Sequence, residues 1–185
     1  RGTRIEVVPD ILMNLADANN RLGKLDIGAA WYRRALLMCD SLHMASTKKP
    51  PIYYGLAQVY VTMRDFEQCD YYYNLAGESY DNMLPYEKYI YLNNRGTSYY
   101  YREDYQTAIK YFQKVIDLVE GYADMSFELN LGRLNLGDCY LQLNMVDLAV
   151  KYINECQLFF EEMGVSTALY LSLIHISEPT RLRRI

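Results

Sequence analysis

The sequence predicts an all-α protein, an α-solenoid of stacked antiparallel helix pairs, with four pairs and the start of a fifth. Three observations carry that prediction. One pattern of small and large residues recurs four times, apolar residues fall at helical spacing between the recurrences, and helix breakers stand where one pair would hand over to the next. The composition agrees: 185 residues, 51% hydrophobic and 23% charged, belong to a folded chain.

The recurrence is clearest in the second helix of each pair. Gly23-Lys24-Leu25-Asp26-Ile27-Gly28 leads to Tyr32 and Ala35, and Arg64-Asp65-Phe66-Glu67-Gln68-Cys69 leads to Tyr73 and Ala76. Glu103-Asp104-Tyr105-Gln106-Thr107-Ala108 leads to Phe112 and Val115, and Asn144-Met145-Val146-Asp147-Leu148-Ala149 leads to Ile153 and Cys156. The small residues Gly28, Cys69, Ala108 and Ala149 are separated by 41, 39 and 41 positions. Ahead of each unit a first helix carries its own signature, a small residue three before a tyrosine: Ala57 with Tyr60, Gly96 with Tyr99 and Gly137 with Tyr140, with Ala16 and Asn19 as the degraded first copy. Small residues at these places let two helices approach closely while large aromatics wedge between neighbours. Lys48-Lys49-Pro50-Pro51, Leu84-Pro85 and the stretch from Gly121 to Ser126 interrupt the pattern at the joins. The resulting division is a flank at 1–8, repeats at 9–49, 50–88, 89–129 and 130–165, and the start of a fifth at 166–170.

These residues resemble the tetratricopeptide repeat, whose first helix carries Leu-Gly-x-x-Tyr and whose second carries Gly-x-Tyr-x-x-Ala-x-x-x-Tyr-x-x-Ala. The resemblance spans about residues 9–163. A period near 40 is that of long-period bacterial variants and implies second helices longer by one to two turns, with longer loops between repeats. The family likeness also implies a scaffold that binds a protein or peptide, with no cofactor and no catalytic residues.

The last residues read differently. Leu171-Ser172-Leu173-Ile174-His175-Ile176-Ser177-Glu178-Pro179-Thr180-Arg181 is similar, residue for residue, to the translation of a transposase adapter used for sequencing libraries. The alternative is a genuine apolar and basic tail able to touch a membrane or nucleic acid. Setting 171–185 aside removes three of 19 Lys+Arg and one of 23 Asp+Glu, leaving 16 and 22, so the net charge moves from −4 to −6. Such a balance does not point to nucleic acid. Arg1 in place of methionine suggests a piece of a longer chain, no signal peptide is visible, and no apolar run reaches the length of a membrane span. The compartment stays open.

Few constellations offer chemistry. Cys39, Cys69, Cys139 and Cys156 lack metal-ligand spacing and read as buried packing thiols; a Cys139–Cys156 disulfide would need an oxidising compartment. His43 reads as a helix-end residue. The pairs Glu103-Asp104 and Glu161-Glu162 are adjacent, so their carboxylates diverge on a helix. Gly132 and Gly137 have the spacing of a phosphate loop, but Asp138-Cys139 stands where Lys and Ser/Thr are needed. No metal site and no enzyme active site is expected within these residues, though a catalytic domain elsewhere in a longer chain is a third reading.

Tyrosine is the informative residue, with 20 copies. Tyr32, Tyr60, Tyr73, Tyr99, Tyr105 and Tyr140 occupy the aromatic slots of the repeat. Others include Tyr53-Tyr54, Tyr71-Tyr72, Tyr89, Tyr91 and Tyr100-Tyr101. The resemblance implies that the first helices line a concave groove. On it would lie Met13, Asp17, Asn20 and Arg21; Tyr54, Gln58 and Thr62; Asn93, Thr97, Tyr100 and Tyr101; and Leu134, Asp138, Leu141 and Gln142. Tyrosine, amide and hydroxyl groups suit a peptide or partner helix. Equally, the tyrosines could only fill wide space between helices. The branch of the family that clamps C-terminal carboxylates uses lysines and asparagines; here no lysine stands on the groove and Asp17 would repel a carboxylate. The expected role is the sensory or regulatory region of a larger bacterial signalling protein, the alternative a stand-alone cytoplasmic adaptor or peptide-responsive regulator.

Overall fold

The computed structural model describes residues 7–44 and 48–164, where every regular element is helical. The fold class is the expected one. Eight α-helices follow in order: α1 (Val8–Arg21), α2 (Leu25–Ser41), α3 (Pro50–Met63), α4 (Phe66–Gly77), α5 (Pro85–Tyr101), α6 (Tyr105–Val119), α7 (Ser126–Gln142) and α8 (Val146–Glu162). Consecutive helices pair as α1–α2, α3–α4, α5–α6 and α7–α8. The chain divides between Leu84 and Pro85 into two compact units, each of two helix pairs. The start of a fifth repeat and the tail at 171–185 lie outside the described residues.

One backbone device makes every pair. The residues between first and second helices, Gly23, Arg64, Glu103 and Asn144, all have left-handed φ values, of 74°, 61°, 66° and 58°. Each amide donates to the carbonyl three residues back, and the next amide to the carbonyl five back, as in Glu103 N to Tyr100 O (2.9 Å) and Asp104 N to Tyr99 O (3.0 Å). This is the Schellman closure of a helix C-terminus. Asp65 and Asp104 then start the second helix, their carboxylates accepting from Gln68 N and Thr107 N, both at 3.1 Å. Lys24 and Met145 hold the same place without a side-chain cap.

The small-residue slots are buried as expected. Ala16, Ala57, Cys69 and Ala108 have no exposed surface, and Gly28, Gly96, Gly137 and Ala149 are buried too. In the first unit Tyr32 and Tyr73 fill the wedge positions. In the second, Ala108, Phe112 and Ile116 of α6 pack with Leu136 and Cys139 of α7, and Leu134 packs with Cys156 and Phe160 of α8. Burying a side chain of such size stabilises by about 1.5–3 kcal/mol, so these clusters hold the helices together.

Helix lengths refine the sequence reading. Of the second helices α2 and α8 have 17 residues and α6 has 15, whereas α4 has only 12. Gly77, a poor helix former, ends α4, and the connection holds a 3-10 turn at Tyr80–Asn82. First helices α5 and α7 begin at Pro85 and Ser126, four residues before the expected divisions at 89 and 130. Gly132 lies within α7, where a Cβ would stand 3.1 Å from Val115 Cγ1, so it serves helix packing and not a phosphate loop.

Candidate partner-binding faces

The expected groove residues sit on α1 and α3 in the first unit and on α5 and α7 in the second. In the first unit Asp17, Arg21 and Gln58 are exposed, and Tyr54 and Thr62 are half-buried. Asp17 is not a free carboxylate, for it accepts the hydroxyl of Tyr32 from the second helix. Burial, and then this hydrogen bond, hold the Tyr32 phenol well above its usual range. Asn20 turns inward: its buried Oδ1 would stand 1.8 Å from a Cβ on Gly28, so the amide packs between α1 and α2. Tyr54 reaches Met83 Sδ at 3.5 Å, and Thr62 Oγ1 returns to Gln58 O at 3.0 Å.

The second unit brings its candidates closer together. Asn135 Nδ2 of α7 donates to Asn93 Oδ1 of α5 at 3.0 Å, a link between the first helices of two repeats. Thr97 Oγ1 donates to Asn93 O at 2.9 Å, and Gln142 Nε2 stands 3.5 Å from Asp138 Oδ1. Tyr100 packs edge-on against Tyr101 and Tyr105, with centroids 6.0 and 5.3 Å apart, and also supports the α6–α7 core. Leu134 is a correction: placed on the groove by register, it is fully buried, because α8 presents Cys156 and Phe160 to that side of α7. Arg95 adds no positive charge to the surface, since it is 6% exposed with its guanidinium 5.2 Å from the Tyr99 ring centroid.

Two features escaped sequence reasoning. Asn135 was not singled out, although Asn14, Gly55, Asn94 and Asn135 share a register position. Nor was the pairing of tyrosines across each helix pair: Tyr60 stacks on Tyr72, Tyr99 on Tyr111 and Tyr140 on Tyr152, at 5.7, 5.5 and 5.7 Å and within 15° of parallel. Both members recur at the 39- and 41-residue spacings, which is the signal that could have found them. Much of the tyrosine content is thus packing.

The remaining chemistry is quiet. All four cysteines are free and buried. Burial pushes the Cys156 thiol up to about 11 and the Cys139 thiol higher still, so neither supplies a thiolate near neutral pH. His43 has a left-handed backbone, φ 49°, just past the end of α2. Among the described residues no group of His, Cys, Asp and Glu could hold a metal ion, and no helix is long and apolar enough to cross a membrane.

Comparison with known proteins adds to this picture. Two stretches, 89–122 and 132–158, match models of the tetratricopeptide repeat. Among solved structures the chain is similar to BtubC (BKLC) from P. vanneervenii, with a TM-score of 0.75, 21% identity, and coverage of 88% of this chain and 66% of that one. It is also similar to the Signal Transduction ATPase with Numerous Domains (STAND) protein with a tetratricopeptide repeat sensor from Pyrococcus horikoshii, with a TM-score of 0.75, 19% identity, and coverage of 89% of this chain. The chain spans just under two thirds of the first structure's length and a quarter of the second's. No curated protein matches. The two matched stretches are tetratricopeptide repeats, a class of protein-interaction scaffold, and the four Schellman turns and buried small-residue slots show the same helix-pair geometry in the other described pairs.

Proposed function

We propose that the chain binds a protein or peptide on its first-helix faces, as the sensory or regulatory region of a larger bacterial signalling protein. The observation that carries the binding reading is the polar surface of α5 and α7, where Asn93, Asn135, Thr97, Asp138 and Gln142 offer donors and acceptors beside Tyr101. Such groups match the alternating N–H and C=O of an extended peptide, and tyrosine adds contact area at little entropic cost. Asp138 is the one ionisable group among these five, so the surface favours neutral or basic segments over acidic ones. The signalling part of the reading draws on the STAND neighbour with its tetratricopeptide repeat sensor.

Selection from a random displayed peptide library tests the binding. Enriched peptides should lose about tenfold in affinity, ~1.4 kcal/mol, with Asn135→Ala or Tyr101→Ala, while the helical circular dichroism stays unchanged. Absence of any enriched sequence, or binding indifferent to both substitutions, would sink the reading. The intact gene tests the signalling role: kinase or DNA-binding motifs beside the repeats support it, and a stop soon after a fifth repeat overturns it.

A further inference from the structure

In a repeat array each unit covers its neighbours, and a unit with a polar outer face is what ends the array. The outer side of α1 is not polar. Ile11, Leu15, Ala18 and Leu22 follow one another at spacings of four, three and four, so they form a single stripe along the helix and its C-cap, and all four are exposed. Ile11 is 55% and Leu22 70% exposed. At 3.6 residues per turn this stripe is separate from the side of α1 that carries Met13, Asp17 and Arg21.

The same register positions elsewhere in the chain show what such a stripe packs on. In α7 they hold Gly132, Leu136 and Cys139, and α6 covers them: Leu136 and Cys139 pack with Ala108, Phe112 and Ile116, and a Cβ on Gly132 would stand 3.1 Å from Val115 Cγ1. In α3 they hold Ile52, Leu56 and Val59, all buried. The mate of the stripe is therefore the outer face of a second helix, and α8 carries that face. Ala149, Val150, Ile153 and Gln157 lie 41 positions after Ala108, Ile109, Phe112 and Ile116. Whereas Phe112 and Ile116 are buried, Ile153 and Gln157 are half-buried, and Val150 is 48% exposed. Val146, one turn earlier and also exposed, extends the apolar surface.

We propose that the chain associates head to tail with a second copy of itself, α8 of one copy seating on the α1 stripe of the next as α6 seats on α7. Ala149 gives the close approach that Ala108 gives within the chain, and Leu15 takes the place beside Ile153 that Leu136 takes beside Phe112. Side-chain size is matched across the contact. Ile11 is far larger than Gly132, and it falls opposite Cys156 and Gln157, where α6 has the stiffer Val115 and Ile116. The first unit makes the same trade, since Ile52 stands in the register of Gly132 and Ala35 in that of Val115. One contact between unlike faces thus covers both apolar surfaces, whereas α1 on α1 or α8 on α8 has no counterpart among the helix pairs. It uses none of Asn93, Asn135 and Tyr101, and so stands independently of the peptide-binding reading.

Sedimentation equilibrium of the full chain tests this. The weight-average mass should rise with protein concentration, and Leu15→Asp or Val150→Asp, each at an exposed position, should weaken the association at least about tenfold. Mixing the two variants brings one intact α1 stripe to one intact α8 face, so the mixture should associate again and stop at the heterodimer. Helical circular dichroism checks that each variant folds; Ile11→Asp and Val146→Asp, on the same two faces, replace one that does not. A chain that stays monomeric at every concentration overturns the proposal and leaves both faces to helices of another protein. Association that survives either substitution alone, or a mixture of the two variants that stays monomeric, overturns it as well.

Discussion

The ring of Tyr32 fills the space that a side chain at Gly55 would need: a Cβ there would stand 2.2 Å from Tyr32 Cζ. Because the same tyrosine donates its hydroxyl to Asp17, one residue of α2 ties α1 and α3 together. Gly55→Ala should therefore destabilise the first unit by about 1–3 kcal/mol from overlap, against a helix-propensity gain of up to ~1 kcal/mol. Tyr32→Phe keeps the ring and should cost less, about 1 kcal/mol for the hydrogen bond. Urea unfolding of both variants checks the order.

The left-handed turn residues give a prediction with sign and rank. A residue with a Cβ pays roughly 1–2 kcal/mol in that conformation, partly returned by the lower chain entropy of its unfolded state relative to glycine. Glu103→Gly should thus raise stability by about 0.5–1 kcal/mol, or a few degrees in melting temperature. Arg64→Gly should gain less, because the guanidinium 5.6 Å from the Phe66 ring centroid is lost with it. Asn144→Gly should change least, since asparagine tolerates the region. Thermal unfolding followed at 222 nm checks the ranking.

Helix starts differ between repeats in a way that can be exploited. Asp65→Ala and Asp104→Ala should each lose about 1 kcal/mol, as their carboxylates cap α4 and α6. Met145→Asp, at the uncapped equivalent before α8, should gain about 0.5–1 kcal/mol. Chemical denaturation midpoints decide both signs.

Buried phenols make the fold sensitive to alkali. Burial holds Tyr32 and Tyr89 above the ordinary phenol value of 10.0, with Asp17 adding to the rise at Tyr32 and Glu128 at Tyr89. The folded chain then keeps these protons where the unfolded chain releases them. Their stabilising contribution is complete below about pH 10 and is lost progressively as pH rises above it. Absorbance titration at 295 nm should show a late tyrosine class that ionises with unfolding, reduced by Tyr32→Phe. Ionisation of all tyrosines in a single step near pH 10 in the folded chain would contradict this.

Much was legible from spacing because each repeat solves the same local problem. The 41-, 39- and 41-residue intervals mark the small slots; the left-handed turn residues fall on the same intervals and the three stacked tyrosine pairs on the last two, though neither was read from the sequence, since one helix-pair geometry demands all of them at fixed offsets. The aspartates at 65 and 104 likewise act through nearby backbone, so their place in the sequence determines their role.

What escaped is what depends on the neighbouring helix. Met13, Tyr54, Asn93 and Leu134 share one register position, yet they meet four fates. Met13 is half-buried, Tyr54 reaches Met83, Asn93 bonds Asn135, and Leu134 is sealed against Cys156 and Phe160. Periodicity assigns a residue to a helix face, and so the sequence alone established the fold class and the helix-pair repeats. How deeply that face is covered depends on the volume and polarity of side chains contributed from elsewhere in the chain, which is why the Asn93–Asn135 pair and the burial of Leu134 emerged only once the helices were packed together.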